Sequence, residues 1–74
     1  MNYSTIDMLV SEYKKSGGTL PCSAKNENEE NVIISEGSCD GNHYYRTDTF
    51  KSDKDVCIVH EYYADGTITE MIER

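Results

Sequence analysis

The side chains in this chain that could do chemistry are three cysteines, two histidines and several paired acids. Cys39 and His43 are separated by three residues and Cys57 and His60 by two, with Cys22 upstream. Thiolate and imidazole together suit tetrahedral zinc, which takes close ligand pairs on tight turns. Cys57 and His60 instead fall in a run with strand character, where residues three apart point to opposite faces. The same pairs could act as nucleophile and base, but no nucleophile elbow surrounds either cysteine and oxyanion donors have no evident position. Glu61 and Glu70 could divide acid and base roles only in a partly dry cleft that separates their pKa values, and so short a chain seldom builds one. Asp48, Asp53 and Asp55 around one turn, and Asp40-Gly41-Asn42 in another, are oxygen-rich but lack the alternating ligands and closing glutamate of an EF-hand. Gly17-Gly18 is not followed by the lysine of a phosphate-binding loop. The reading is a protein without catalytic residues, metal ligands or cofactor.

The elements that would position these residues are one helix and a series of strands. Ile6, Leu9, Val10 and Tyr13 form an apolar stripe on a 3.6-residue period. Ser4 reads as its N-cap, with Asp7 near the positive end of the dipole and Tyr3 and Met8 placed for a hydrophobic staple. Lys14 and Lys15 suit the last turn, and Gly17-Gly18 the left-handed stop. Beyond Gly18 the chain reads as strand and turn. Leu20, Cys22 and Ala24 alternate with polar residues, although Pro21 argues for an edge strand or a strand start. Asn26 to Asn31 is turn-like, Val32-Ile33-Ile34 is a short β-branched run, and Glu36 to Asn42 reads as a loop. His43 to Phe50 and Val56 to Tyr63 are strands separated by a turn. Thr67 to Glu70 also fits a helical capping box, but Asp65-Gly66 and the two threonines favour a strand after a two-residue type I′ turn. The fold class is α+β: one N-terminal helix packed on an antiparallel meander sheet of four to five strands, a single domain spanning residues 1–74.

That turn sets a register. Tyr63 would face Ile68, Glu61 would face Glu70, and Val59 would face Ile72. Two carboxylates in opposition are tolerable only in solvent. The Val56, Ile58, His60, Tyr62 face is therefore expected under the helix, leaving Val59, Tyr63, Ile68 and Ile72 around an acidic centre on the exposed face. Such a surface suits docking better than catalysis.

Charge narrows the partner. Fourteen acids oppose seven bases in 74 residues, a formal charge of −7. The segments 26–45 and 55–73 each carry five acids and no Lys or Arg. An acidic surface repels nucleic acid and anionic membrane and attracts basic grooves. The scattered bases form no stripe for phosphates, so direct nucleic-acid binding is not expected. No segment reaches membrane-spanning length, the first residues lack a signal-peptide pattern, and Met1 suggests a complete short chain. An odd number of widely spaced cysteines suits a reduced, cytoplasmic setting.

In size and acidity the chain resembles the small inhibitors that phages and mobile elements make against restriction or CRISPR nucleases. The resemblance covers no residue pattern and implies no functional residue. The expected function is a non-enzymatic acidic module that occupies a basic nucleic-acid-binding surface of a partner enzyme. Glu27, Glu29, Glu30, Glu36, Asp40, Glu61, Tyr63 and Glu70 are its candidate contacts. The alternative is a small accessory or regulatory protein that dimerises through a sheet edge or through the Tyr63, Ile68, Ile72 face.

Overall fold

A computed structural model of the chain describes residues 1–51 and 54–73. Asp53, one of the acids considered for calcium, lies outside the described residues. The helix, α1, spans Tyr3–Lys15. Its N-cap is Asn2 and not Ser4: Asn2 is extended, and its Oδ1 accepts from the Thr5 amide at 2.9 Å. Tyr3 thereby enters the first turn, where its ring lies 5.1 Å from that of Tyr45, and no Tyr3–Met8 staple forms because Met8 is exposed. The stop is as expected. Lys14 and Lys15 occupy the last turn and Gly17 is left-handed at φ 92°. The Gly17 and Gly18 amides close a Schellman pair onto Lys14 and Tyr13 carbonyls at 3.0 Å each.

Five strands follow: β1 Cys22–Lys25, β2 Asn31–Cys39, β3 Asn42–Lys51, β4 Val56–Tyr63 and β5 Ile68–Glu73. They pair in chain order, all antiparallel, so β1 and β5 are the two edges. The segment expected as a loop over Glu36–Asn42 is mostly strand. Cys39 pairs with Asn42, and only Asp40 and Gly41 turn, with φ 52° and 79°. Two successive positive φ angles make this the type I′ hairpin, tolerated by Asp and free for Gly.

The type I′ turn expected at Asp65-Gly66 is a different structure. Only Gly66 is left-handed there (φ 96°), the Gly66 amide donates to the Tyr63 carbonyl at 2.9 Å, and the Tyr63 amide donates to the Thr67 carbonyl at 2.8 Å. Ala64, Asp65 and Gly66 thus form a three-residue loop of the type I plus bulge kind. One extra loop residue shifts the register by one. Tyr62 pairs with Ile68, His60 with Glu70, Val59 with Met71 and Ile58 with Ile72. The shift replaces the expected Glu61–Glu70 opposition by a His60–Glu70 contact at 2.8 Å and matches apolar with apolar at three positions.

Helix and sheet make two layers, 17 Å deep at the thinnest. The core is small: Ile6 and Val10 from α1 bury against Tyr45 and Tyr62, with Tyr3, Leu20 and Ile34 at the margin. The helix lies chiefly over β3. Tyr62 is on the helix side as expected, and so are Ile68, opposite Tyr62, and Ile72, opposite Ile58 on the same face. They are not on the Tyr63 face, where they were expected. Val59 remains on that opposite face but is 2% exposed, held between Asp48 of β3 and Met71 of β5.

Only half of the predicted apolar stripe is used. Ile6 and Val10 are buried, whereas Leu9 is 59% and Tyr13 43% exposed. Substituting Ile6 by Ala should therefore cost about 3 kcal/mol, and Leu9 by Ala no more than about 1 kcal/mol. Urea midpoints for the two variants check this, and equal losses would contradict the seating of the helix.

Candidate interaction surface

One helix covers part of the sheet and leaves the rest of the same face open. Between α1 and β1 runs an apolar cleft of about 240 Å³, lined by Leu9, Tyr13, Leu20, Cys22 and Ile34 among others. A second cleft of about 330 Å³ continues down the uncovered sheet, over Val32, Thr47, Thr49, His60 and Tyr62. Met1 lines both and is 74% exposed. Further across, Ile68 and Ile72 stand on the same face and are more than half exposed. The helix side therefore carries an apolar strip that begins at α1 and ends at the β5 edge.

The other face is built from side chains that satisfy one another. Arg46 clasps Asp48 through two bonds at 2.9 and 3.0 Å. Tyr44 packs on Tyr63 with ring centroids 5.1 Å apart. Gly37 sits directly opposite Tyr44 across the β2–β3 ladder, and a Cβ there would meet the Tyr44 hydroxyl at 2.7 Å, so the bare glycine is what lets the ring lie over β2. Glu61 accepts from the Tyr63 hydroxyl at 3.2 Å and from Thr69 Oγ1 at 3.0 Å. Tyr63 is thus half-buried and committed to Tyr44 and Glu61, which leaves it little surface to present as an anchor.

The structure does not assemble the acids that sequence grouped together. Glu27 and Glu29 lie in the β1–β2 turn, and Asp40 lies in the β2–β3 turn at the far end of nine-residue β2, roughly 30 Å away by strand rise. Glu30 turns inward: it is 9% exposed and bound by Asn26 Nδ2 at 3.0 Å and by Lys51 Nζ at 3.1 Å. Glu36 bridges to Lys14 and His43. Unneutralised acid collects elsewhere, on the β4–β5 side. Glu61, Glu70 and Glu73 lie on these two strands, with Asp55 and Asp65 in the turns that bound them. Among the described residues, no Lys or Arg lies on β4 or β5. Lys14, Lys15 and Lys25 are on α1 and on β1, the opposite edge. The bases nearest these acids are Arg46, opposite Glu61 on β3, and Lys54 beside Asp55, so the β4–β5 side keeps an excess of acid. Distance along the sequence could not show this, because β1 and β5 become opposite edges only when the meander forms.

The remaining cluster is chemical in appearance. Tyr3 Oη contacts His43 Nδ1 at 2.8 Å, His43 Nε2 contacts Glu36 Oε1 at 2.9 Å, and Lys14 Nζ donates to Glu36 Oε2 at 2.7 Å. The adjacent Tyr45 hydroxyl donates to Asp7 Oδ1 at 2.5 Å. The phenol–imidazole–carboxylate order is that of a relay, but burial pushes the Tyr3 phenol up, and the nearby Asp7 and Glu36 charges push it further. Tyr45 is raised in the same way, first by burial and then by its bond to Asp7. Raised pKa values keep both phenols protonated, so neither is activated as a nucleophile. Three of the four links join α1 to β2 or β3, and the His43–Glu36 contact ties β3 to β2 beneath it, so the network fastens the helix to the sheet. Sequence alone does not reveal it, because local signals place Asp7 at the helix dipole, Glu36 in a loop and Tyr3 in a staple. Its one sequence signal was the acid–base complement of Lys14 and Glu36, which distance along the chain conceals.

The three cysteines are free and separate: Cys22 is on β1, Cys39 ends β2, and Cys57 is on β4, facing away from His60. Burial raises the Cys57 thiol pKa. Among the described residues no three His, Cys, Asp or Glu side chains converge on a point that could hold a metal ion. No helix is long and apolar enough to cross a membrane. Comparison with known proteins adds no relative: no family model, curated protein or solved structure matches the chain.

The fastening network has a pH signature. The bond from Lys14, then that from His43, holds the Glu36 carboxyl below the usual range, and bonds from Asn26 and Lys51 do the same for Glu30. A folded pKa below the unfolded value, about 4.3 for Glu, means stabilisation that is complete above that value. It is lost as pH falls through the folded one. The thermal midpoint should stay level from pH 7 to about 5 and fall below about pH 4. Glu36→Gln should lower the midpoint at neutral pH and flatten the acid limb. Parallel melting curves for the two proteins at every pH would remove Glu36 from this role.

Proposed function

We propose that this protein is a non-enzymatic binding module whose acidic β4–β5 side docks on a basic surface of a partner protein. The observation that carries the reading is a local excess of acid: five acids on and around β4 and β5, against Lys54 in the β3–β4 turn and Arg46 on the neighbouring strand. Such a field steers a basic partner to one side of the molecule and orients it there. The exposed Ile68, Met71 and Ile72 on β5 supply apolar area beside the carboxylates, which is the composition of a docking patch. Where the partner's basic surface is a nucleic-acid channel, the docked chain excludes the nucleic acid, and the protein acts as an inhibitor of that enzyme.

A second reading, a small dimeric accessory protein, is favoured by the same exposed apolar residues on a free sheet edge. Charge tells against it, because pairing β5 with itself brings two acidic sides together.

The test is affinity capture from a lysate of the source cell at low and high salt, followed by quantitative binding to the partner recovered. Glu70→Lys combined with Glu73→Lys should weaken that binding about tenfold or more, because it reverses two charges at the interface. Glu27→Lys with Glu29→Lys, at the remote turn, should change it no more than about threefold. A salt-resistant partner, or equal losses in the two variants, would sink the proposal.

A further inference from the structure

The two edges of the sheet are not equally defended. β1 has only four residues, is preceded by Pro21, which has no N–H to offer, and carries Lys25. Shortness, proline and lysine are the usual devices that stop an edge from pairing with another chain. β5 has no proline or lysine among its described residues, and its only charges are the carboxylates of Glu70 and Glu73. It is six residues long, every residue is exposed, and it reads Ile-Thr-Glu-Met-Ile-Glu. An edge of this length and composition, left bare, is a template for one more strand.

The backbone of β5 can be read from its register. The Tyr63 amide donates to Thr67 and the Ala64 amide to His43. Hydrogen-bonded pairs alternate along an antiparallel ladder, so Thr69, Met71 and Glu73 bond inward to β4. Ile68, Glu70 and Ile72 therefore turn their N–H and C=O groups outward. The same three residues place their side chains on the helix side, in the order apolar, acidic, apolar.

We propose that β5 accepts an extended segment of a basic partner by strand addition. The segment is one in which a lysine or arginine is flanked, two residues away on each side, by apolar residues. Its cation comes to lie against Glu70, beside His60, and its apolar residues extend the strip of Ile68 and Ile72. Main-chain bonds to Ile68, Glu70 and Ile72 supply affinity, and the alternation of charge and apolar groups supplies register. A second copy of the chain fits less well, since its own edge is acidic. The inference rests on the proposed docking side and adds the mode of binding.

The experiment uses the whole chain and a short labelled peptide in which valine, arginine and valine alternate with threonine, with a second peptide carrying glutamate in place of arginine. Amide exchange followed by NMR should slow about tenfold at Ile68, Glu70 and Ile72 on saturation with the arginine peptide. Glu70→Pro should abolish binding, because it removes an outward N–H while sparing the inner ladder. Glu70→Gln, which keeps the N–H, should weaken binding only a few-fold. Absence of peptide binding, binding without protection of these amides, or equal binding by Glu70→Pro and Glu70→Gln would overturn strand addition. Equal binding of the glutamate peptide would overturn its basic specificity. Protection of the same amides on concentrating the chain alone, with a dimer in sedimentation that Glu70→Pro dissolves, would assign the edge to a second copy and overturn the basic occupant. Glu70→Pro that leaves capture of the natural partner intact, while Glu70→Lys with Glu73→Lys loses it, would reject the mode and leave the docking side standing.

Discussion

Everything in this molecule depends on how one helix is held against a sheet wider than itself. Two apolar side chains, Ile6 and Val10, provide the buried contact, and this is too little to fix the helix in position unaided. The polar links supply the rest: Tyr3 to His43, Asp7 to Tyr45, and Lys14 to Glu36, the last two spanning 38 and 22 residues of sequence. They act at three successive levels of α1, which fixes its direction as well as its place. The short Tyr and Asp side chains have few rotamers to lose when their bonds form, whereas the partly exposed Lys14 and Glu36 give up more.

The geometry of that fastening leaves the rest of the surface as it is. A helix is about 10 Å across with its side chains, whereas five strands at about 4.8 Å spacing span more than twice that width. Seated over β3 and held by β2 and β3, α1 cannot also shield β5. The uncovered half of its face stays apolar, and β5 stays bare on its edge. The opposite face has no covering layer either, and it manages by pairing: Arg46 with Asp48, Tyr44 with Tyr63, Glu61 with two hydroxyls. Val59 is buried there because its neighbours are tied to one another, not because another element lies on it.

Local signals carried much of the secondary structure. The stop of α1 at Gly17, the antiparallel order and the strand character of Val56–Tyr63 all follow from residue type and period. Two Asp-Gly dipeptides show where such signals end. Asp40-Gly41 makes the type I′ turn, in a segment whose polar, glycine-rich composition suggested a loop, whereas Asp65-Gly66 makes a longer one. The dipeptide permits either. What selects between them is the match of the flanking strands, which pairs Tyr62 with Ile68 and His60 with Glu70 only in the longer loop. The interaction surface shared this fate. A one-residue shift moved Ile68 and Ile72 to the other face and separated them from Tyr63.

By itself, then, the amino-acid sequence determined the class of fold, the number and type of most elements, and the excess of acid. These depend on periodicity, turn chemistry and composition, which act over a few residues. Only the tertiary structure decided which carboxylates are spent inside the protein and which face outward. Glu30 and Glu36 were neutralised by lysines 21 and 22 residues away, while Glu70 and Glu73 were left exposed on an edge strand that itself carries no Lys or Arg among the described residues. The physical reason is that charge acts through space. The distance between two charges is set by strand order, register and the seat of the helix, none of which is a property of any short stretch of chain.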